Sequence, residues 1–255
     1  ASQKSHAPSC PATGARYRGR MRTLALALAA LTPLAAPAPL FAQTEQVMVD
    51  VEEKSISELA AMLSSGKVTS EQLVQAYIDR IGRIDEDRSI GLNSVIAVMF
   101  DAPSEARILD AERKAGKLRG PLHGIPILIK DNIEAKGPIP TTAGSTALLA
   151  NVTDRDAPLV ARLRAAGAII LGKTNLSQWA NIRSNDSVSG WSSVGGLVKN
   201  PYALDRNSCG SSSGSGAAAA ASLAAATIGT ETDGSIICPS SINGLVGFKP
   251  TLGLV

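Results

Sequence analysis

The sequence predicts an α/β fold, a mixed and largely parallel sheet sandwiched between helices, preceded by an N-terminal helical hairpin. Two observations predict the sheet. Apolar runs without polar alternation at residues 94–100, 125–129 and 168–171 read as strands covered on both faces. Between them lie helical stretches at 103–115 and 157–166, closed by Gly116 and Gly167, and strand alternating with helix builds parallel layers.

The hairpin comes first along the chain. From Ser57 onward Leu59, Met62 and Leu63 recur on one face until Gly66 stops the helix. Thr69, with Gln72 three residues on, forms a capping box for a second helix, whose apolar stripe is Leu73, Ala76, Tyr77, Ile81 and Ile84. The alanine-rich stretch 216–226 predicts one more helix, with side chains short enough to pack closely in the interior. It is well below the roughly 20 apolar residues that cross a bilayer. No repeat of fixed period and no linker divides this body.

With 44% hydrophobic and 18% charged residues the chain is too apolar for disorder, and three cysteines in 255 residues make no disulfide scaffold. The net charge of +3 would suggest a polyanionic partner, but its distribution argues otherwise. Residues 1–42 carry Lys4, Arg16, Arg18, Arg20 and Arg22 and no acid, so the remainder has 25 − 5 = 20 basic against 22 acidic residues, a net of −2. The basic excess belongs to the leader.

Residues 21–42 read as an export signal, with Arg22 as the positive start, an apolar run at 24–34 and a small-residue tail ending at Ala42. Cleavage is expected before Gln43; an uncut N-terminal anchor is the alternative. Residues 1–20 form an upstream extension, and residues 43–255 the folded domain. The expected location is periplasmic or secreted, with no stable membrane insertion after cleavage. Of the cysteines, Cys209 and Cys238 remain, in Gly/Ser-rich or apolar surroundings that suit small buried side chains, so free thiols are expected rather than a bridge.

Histidine is nearly absent. His6 lies in the leader and His123 in a turn before a strand, where a structural role is the commoner one. No His/Cys cluster has metal-ligand spacing, so neither metal nor cofactor is expected. Lysine is the alternative base. Lys130 ends the run 125–130, and open α/β sheets place their sites at the C-terminal ends of strands. Burial there disfavours the charged ammonium, and a neutral amine can take a proton from a hydroxyl. Pairing of Lys130 with Asp131 would make it structural instead. Lys173, in Gly172-Lys173-Thr174-Asn175, has the same strand-end setting, so the physics leaves two candidates.

The strongest feature is the run Cys209-Gly210-Ser211-Ser212-Ser213-Gly214-Ser215-Gly216 entering the alanine-rich stretch, followed by Thr230-Glu231-Thr232-Asp233-Gly234-Ser235-Ile236-Ile237-Cys238-Pro239. A glycine-rich loop before a helix can cradle phosphate, but no Gly-Lys-Ser/Thr closes this one. In this order, behind a strand-end lysine, the motifs resemble the amidase signature family of serine hydrolases. The two-serine spacing of that family, 235 − 211 = 24, is also present.

The resemblance implies that Ser235 is the nucleophile, that Ser211 bridges to it from after a cis peptide, and that Lys130 rather than Lys173 is the base. It further implies an oxyanion hole of backbone N–H groups from Thr232, Asp233, Gly234 and Ser235, and a supporting hydrogen-bonding role for Ser212. Asn175 and Asp186 fall in stretches the family keeps near its site, without an assigned role. Cys209, Asp233 and Ile237 stand where Gly, Gly and Arg are usual. With residues 120–126 and 185–191 they resemble the bacterial peptide amidase branch, which implies release of ammonia from C-terminal peptide amides or small carboxamides. The expected partner is thus a small-molecule or peptide amide substrate, not nucleic acid. Alternatives are an amidotransferase component that works as a glutaminase, and a non-catalytic binding module. The resemblance covers residues 55–255 and implies the N-terminal half of an enzyme whose C-terminal part is missing.

Overall fold

Two capped helices open the part of the chain that the computed structural model describes, residues 49–87 and 89–254; the predicted leader and upstream extension lie outside it. In α1 (Ile56–Ser64) the Ser55 hydroxyl accepts the Glu58 N–H at 3.2 Å and the Glu58 carboxylate accepts the Ser55 N–H at 2.8 Å. The predicted Thr69/Gln72 box caps α2 (Ser70–Ile84) with bonds of 3.1 and 2.9 Å. Each such cap is worth about 1 kcal/mol. The pair buries Leu59, Leu63, Leu73, Val74, Tyr77 and Ile81, while Met62, Ala76 and Ile84 of the predicted stripes are half-buried against this core.

The alternating body follows: β1 (Val95–Val98), α3 (Ala102–Lys114), β2 (Pro126–Lys130), α4 (Pro158–Ala165) and β3 (Ile169–Thr174). Two short antiparallel ribbons come next, β4 (Trp191–Ser192) with β5 (Gly196–Leu197), and β6 (Lys199–Asn200) with β7 (Ala203–Asn207). They are too short to leave a period in the sequence. After them come α5 (Ser213–Ala220), β8 (Ala226–Ile228) and α6 (Ile237–Ile242).

The main sheet has the order β1-β3-β2-β8, with β2 parallel to both β3 and β8 and β1 antiparallel at the edge. The mixed, largely parallel sheet is therefore present. Every residue of β2 and β3 is buried, as an uninterrupted apolar run requires. At the start of β1 the buried Asp85 carboxylate accepts the N–H groups of Ser94 at 2.8 Å and Val95 at 2.9 Å, and the Ser94 hydroxyl as well. Among the described residues no helix is long and apolar enough to cross a membrane.

Two expectations need correction. The alanine-rich stretch is not one helix over 216–226: α5 starts earlier, inside the Gly/Ser run, and ends at Ala220. Its small residues serve close approach, because a Cβ on Gly214 would lie 2.2 Å from the Ser94 carbonyl oxygen and 2.5 Å from the Asn175 nitrogen. Past the left-handed Ser222 (φ 54), residues 226–228 extend and pair with β2, where a neighbouring strand satisfies their backbone better than an unsupported helix end.

The second correction concerns the cysteines. Cys209 and Cys238 form a disulfide, with Cα atoms 6.0 Å apart. Judged by local surroundings each looked like a small buried residue, but the fold brings their loops together through the Ser212 N–H bond to the Ser235 carbonyl at 3.0 Å. That contact puts the two side chains within bridging range.

Candidate active site

The site forms where the C-terminal end of β2 meets the loop entering α5 and the loop after β8. Lys130, the last residue of β2, is fully buried. Its Nζ lies 2.7 Å from the Ser211 Oγ, 2.9 Å from the Thr230 Oγ1 and 3.3 Å from the Thr230 carbonyl oxygen. A neutral amine has two N–H donors and one lone pair. Thr230 can take both donors, which leaves the lone pair for the Ser211 hydroxyl. Burial brings the Lys130 pKa down from 10.5 to about 7, with the negative charge of Glu231 acting the other way.

Ser211 is buried, and the Gly210–Ser211 peptide bond is cis, as the resemblance implies. Its carbonyl accepts the Ser177 N–H at 3.0 Å. A Cβ on Gly210 would sit 2.3 Å from the Ser177 Oγ and 2.7 Å from the Ser213 Oγ, so the backbone passes where no side chain fits. Ser212 supports the lysine indirectly. Its hydroxyl donates to the Thr230 carbonyl at 3.0 Å and lies 3.2 Å from the Thr230 nitrogen as acceptor, which fixes the threonine that holds the amine.

Ser235 is half-buried on the loop before α6 and reaches the group through its carbonyl, which accepts the Ser212 N–H. Among the described residues no hydrogen bond joins its hydroxyl to Ser211. The structure thus brings Lys130, Ser211 and Ser212 into direct contact, with the Ser235 backbone alongside. The N–H groups of Thr232, Asp233 and Ser235 donate to no acceptor among the described residues, while Ile236 and Ile237 donate to the Glu231 carboxylate at 2.6 and 2.9 Å.

Lys173 is disposed of by its neighbours. It lies inside β3, its Nζ donates to the Ile133 carbonyl at 2.6 Å and to the Thr141 Oγ1 at 2.8 Å, and Asp131 faces it at 3.8 Å. Burial lowers its pKa to about 8 against the opposing pull of Asp131. Asp131 is therefore the partner of Lys173 and not of Lys130. His123 is also structural: the Arg119 N–H reaches its Nδ1 at 3.1 Å and its Nε2 faces the Leu109 carbonyl at 2.9 Å. Asn175 ties loops together, with its Nδ2 donating to the carbonyls of Asn93 and Gly196. Asp186 is exposed.

Sequence reasoning missed Thr230, Asn132 and Glu231. The Asn132 Nδ2 donates to the Thr230 Oγ1 at 3.0 Å, and Asn132 also borders a cleft of about 600 Å³. Apolar walls of that cleft come from Ile133, Leu148, Trp179 and Ile182, with Trp179 and Ala180 in left-handed backbone at φ 55 and 53. The signal available in the sequence was position alone: Asn132 stands two residues after the lysine, and Thr230 and Glu231 directly precede the turn. Among the described residues no group of three or more His, Cys, Asp or Glu side chains could hold a metal ion.

The chain is similar to several known proteins. The native peptide amidase of Stenotrophomonas maltophilia is 55% identical, with a TM-score of 0.77 over 80% of this chain and 41% of that one. A structure of the peptide amidase PAM with the competitive inhibitor chymostatin matches at the same identity and TM-score. A putative amidase of Schizosaccharomyces pombe is 44% identical over 206 residues, 81% of this chain and 35% of its own length. A glutamyl-tRNA(Gln) amidotransferase component of Acidothermus cellulolyticus is 40% identical over 207 residues, 81% and 39% of the respective chains. This chain spans about two fifths of the length of these relatives. The family model described as Amidase matches residues 72–255, most of the chain and all of the lysine and serine loops, and the chain belongs to that family.

Proposed function

We propose that this chain carries the nucleophile, the proton relay and the base of a serine hydrolase that cleaves carboxamides, with C-terminal peptide amides as its substrate class. The observation that carries the reading is the fully buried Lys130 amine, held by Thr230 and bonded to the Ser211 hydroxyl at 2.7 Å. With a pKa of about 7 it is neutral in a large share of molecules at physiological pH, as a general base must be.

In this mechanism the Ser235 hydroxyl gives its proton to Ser211 as Ser211 passes its own to Lys130, and the Ser235 oxygen attacks the amide carbonyl carbon. Backbone N–H groups of Thr232, Asp233 and Ser235 stabilise the oxyanion, a contribution of about 3 kcal/mol for a single donor, whereas the Gly234 N–H of the expected set faces the Glu231 carboxylate. The proton returns from Lys130 through Ser211 to the leaving nitrogen, the C–N bond breaks and ammonia departs. Water then gives a proton to the same relay, attacks the acyl ester and regenerates Ser235. The 600 Å³ cleft beside Asn132, with its apolar walls, suits the acyl side of the substrate. Similarity to a peptide amidase that binds chymostatin favours a peptide amide over a free small amide.

The leader at 21–42 adds export to the reading, with the mature protein in the periplasm or outside the cell. That favours hydrolysis over ammonia delivery to a charged tRNA, the activity implied by the similarity to the glutamyl-tRNA(Gln) amidotransferase. The test is ammonia release from an amidated dipeptide by the intact protein. Release should occur in the wild type and vanish in Ser235→Ala, and undiminished release from that variant refutes the assignment.

A further inference from the structure

We propose that Glu231 is a positioning residue of this site, whose carboxylate fastens the loop carrying Ser235 and whose negative charge acts on the buried Lys130 amine. The inference rests on the hydrolase reading above and adds a residue to it. The Glu231 Oε2 accepts the N–H of Ile236 at 2.6 Å and of Ile237 at 2.9 Å. These residues directly follow Ser235, so one carboxylate closes the segment 231–237 from both ends. With Ile236 and Ile237 taken up in this way, the N–H groups of Thr232, Asp233 and Ser235 are left without a protein acceptor among the described residues. That is the condition an oxyanion hole requires.

The second action is electrostatic. Burial works to raise the Glu231 pKa, but the N–H groups of Ile237, Ile236 and Gly234 and the charge of Lys249 hold it below the usual carboxylate range, so it is ionised at neutral pH. Its charge opposes the effect of burial on Lys130. Of the other charged groups nearby, Asp131 is engaged by Lys173 and Asp233 is exposed on the same loop. Burial dominates the depression of the lysine and Glu231 offsets part of it: without its charge the amine would stay neutral to lower pH.

The two actions separate in substitution. Glu231→Gln keeps an oxygen acceptor for Ile236 and Ile237 and removes the charge, whereas Glu231→Ala removes both. The readout is the pH dependence of Ser235 labelling by a fluorophosphonate probe on the intact protein, with thermal melting to verify folding. Wild-type labelling should rise through about pH 7, where the lysine loses its proton. In Glu231→Gln that rise should move to lower pH by about half a unit or more, with a maximal rate within about threefold of wild type. Glu231→Ala should shift likewise and fall about tenfold in maximal rate. A rise that stays in place in Glu231→Gln, or an alanine variant as fast as the glutamine variant, overturns the inference. If Glu231→Ala does not fold, the position of the rise in Glu231→Gln decides alone. Absence of labelling in the wild type refutes the hydrolase reading itself, and this inference with it.

Discussion

Replacing Lys130 with methionine measures what it costs to keep an amine inside the sheet. Burial lowers the folded-state pKa from 10.5 to about 7, whereas a lysine in the unfolded chain titrates near its ordinary value of about 10.4. Between these values the unfolded state holds more protons than the folded one, so wild-type stability rises with pH across this window and is lost as pH falls toward 7. Below about 7 both states are protonated and this dependence ends. One proton contributes about 1.4 kcal/mol per pH unit, so from pH 7 to 9.5 the wild type should gain about 3 kcal/mol that Lys130→Met does not. Lys173 titrates in both proteins and cancels in the difference. Urea unfolding of the intact protein and the variant at pH 7, 8, 9 and 9.5 gives the two slopes directly. Losing the Ser211 and Thr230 contacts adds an offset, but that offset does not change with pH. Parallel pH dependences would show that the lysine is not depressed by burial and would remove the physical basis for its role as base.

Two further outcomes follow from the packing around the serines. The Cys209–Cys238 bridge closes a segment with a sequence separation of 29, which corresponds to about 3–4 kcal/mol of stabilisation in the loop-entropy account. A dithiol reductant should lower the urea midpoint of the wild type and leave Cys209→Ser/Cys238→Ser unchanged, and a wild-type midpoint indifferent to reductant would contradict the bridge. Gly214→Ala should destabilise by about 1–3 kcal/mol or prevent folding, because the new Cβ would meet backbone atoms of Ser94 and Asn175 at 2.2 to 2.6 Å. An alanine variant with an unchanged melting temperature would show that α5 does not pack this closely on the sheet.

The fold was legible wherever a feature is local. The Thr69/Gln72 box, the Leu73-Tyr77-Ile81 stripe and the apolar runs of β2 and β3 each show in a window of a few residues, and each is where its pattern puts it. What stayed hidden depends on distant segments meeting. Alanine has a high helix propensity, yet pairing with β2 draws Ala226 into a strand. The cysteines stand 29 residues apart with no local sign of each other, and only the contact between the loops of Ser212 and Ser235 brings them within reach. The resemblance singled out Ser211, Ser235 and Lys130, of which the structure puts Lys130 and Ser211 in direct contact. Thr230, which the structure shows gripping the amine through both oxygens, carries no signal beyond its place in the Thr230-Glu231-Thr232-Asp233 run.

The choice between two buried lysines shows how the sheet itself assigns chemistry. Lys130 and Lys173 lie on adjacent parallel strands, both fully buried and both depressed by burial. In the register of that pair Lys130 stands opposite Thr174, and Lys173 stands opposite Ile129. Side chains alternate between faces along a strand, so Lys130 and Thr174 share one face while Lys173 lies on the other. The Thr174 hydroxyl bonds Ser215 of α5 at 2.7 Å, which identifies the first face as the one covered by the serine-bearing helix. Asp131, one residue past Lys130, alternates with it and so faces Lys173. The carboxylate that the sequence seemed to offer Lys130 thus goes to the other lysine, and Lys130 is left among hydroxyl and carbonyl oxygens. A one-residue slip of β2 against β3 would exchange these surroundings. Period-two alternation, more than any property of lysine, makes one amine a structural ion-pair partner and leaves the other able to take a proton.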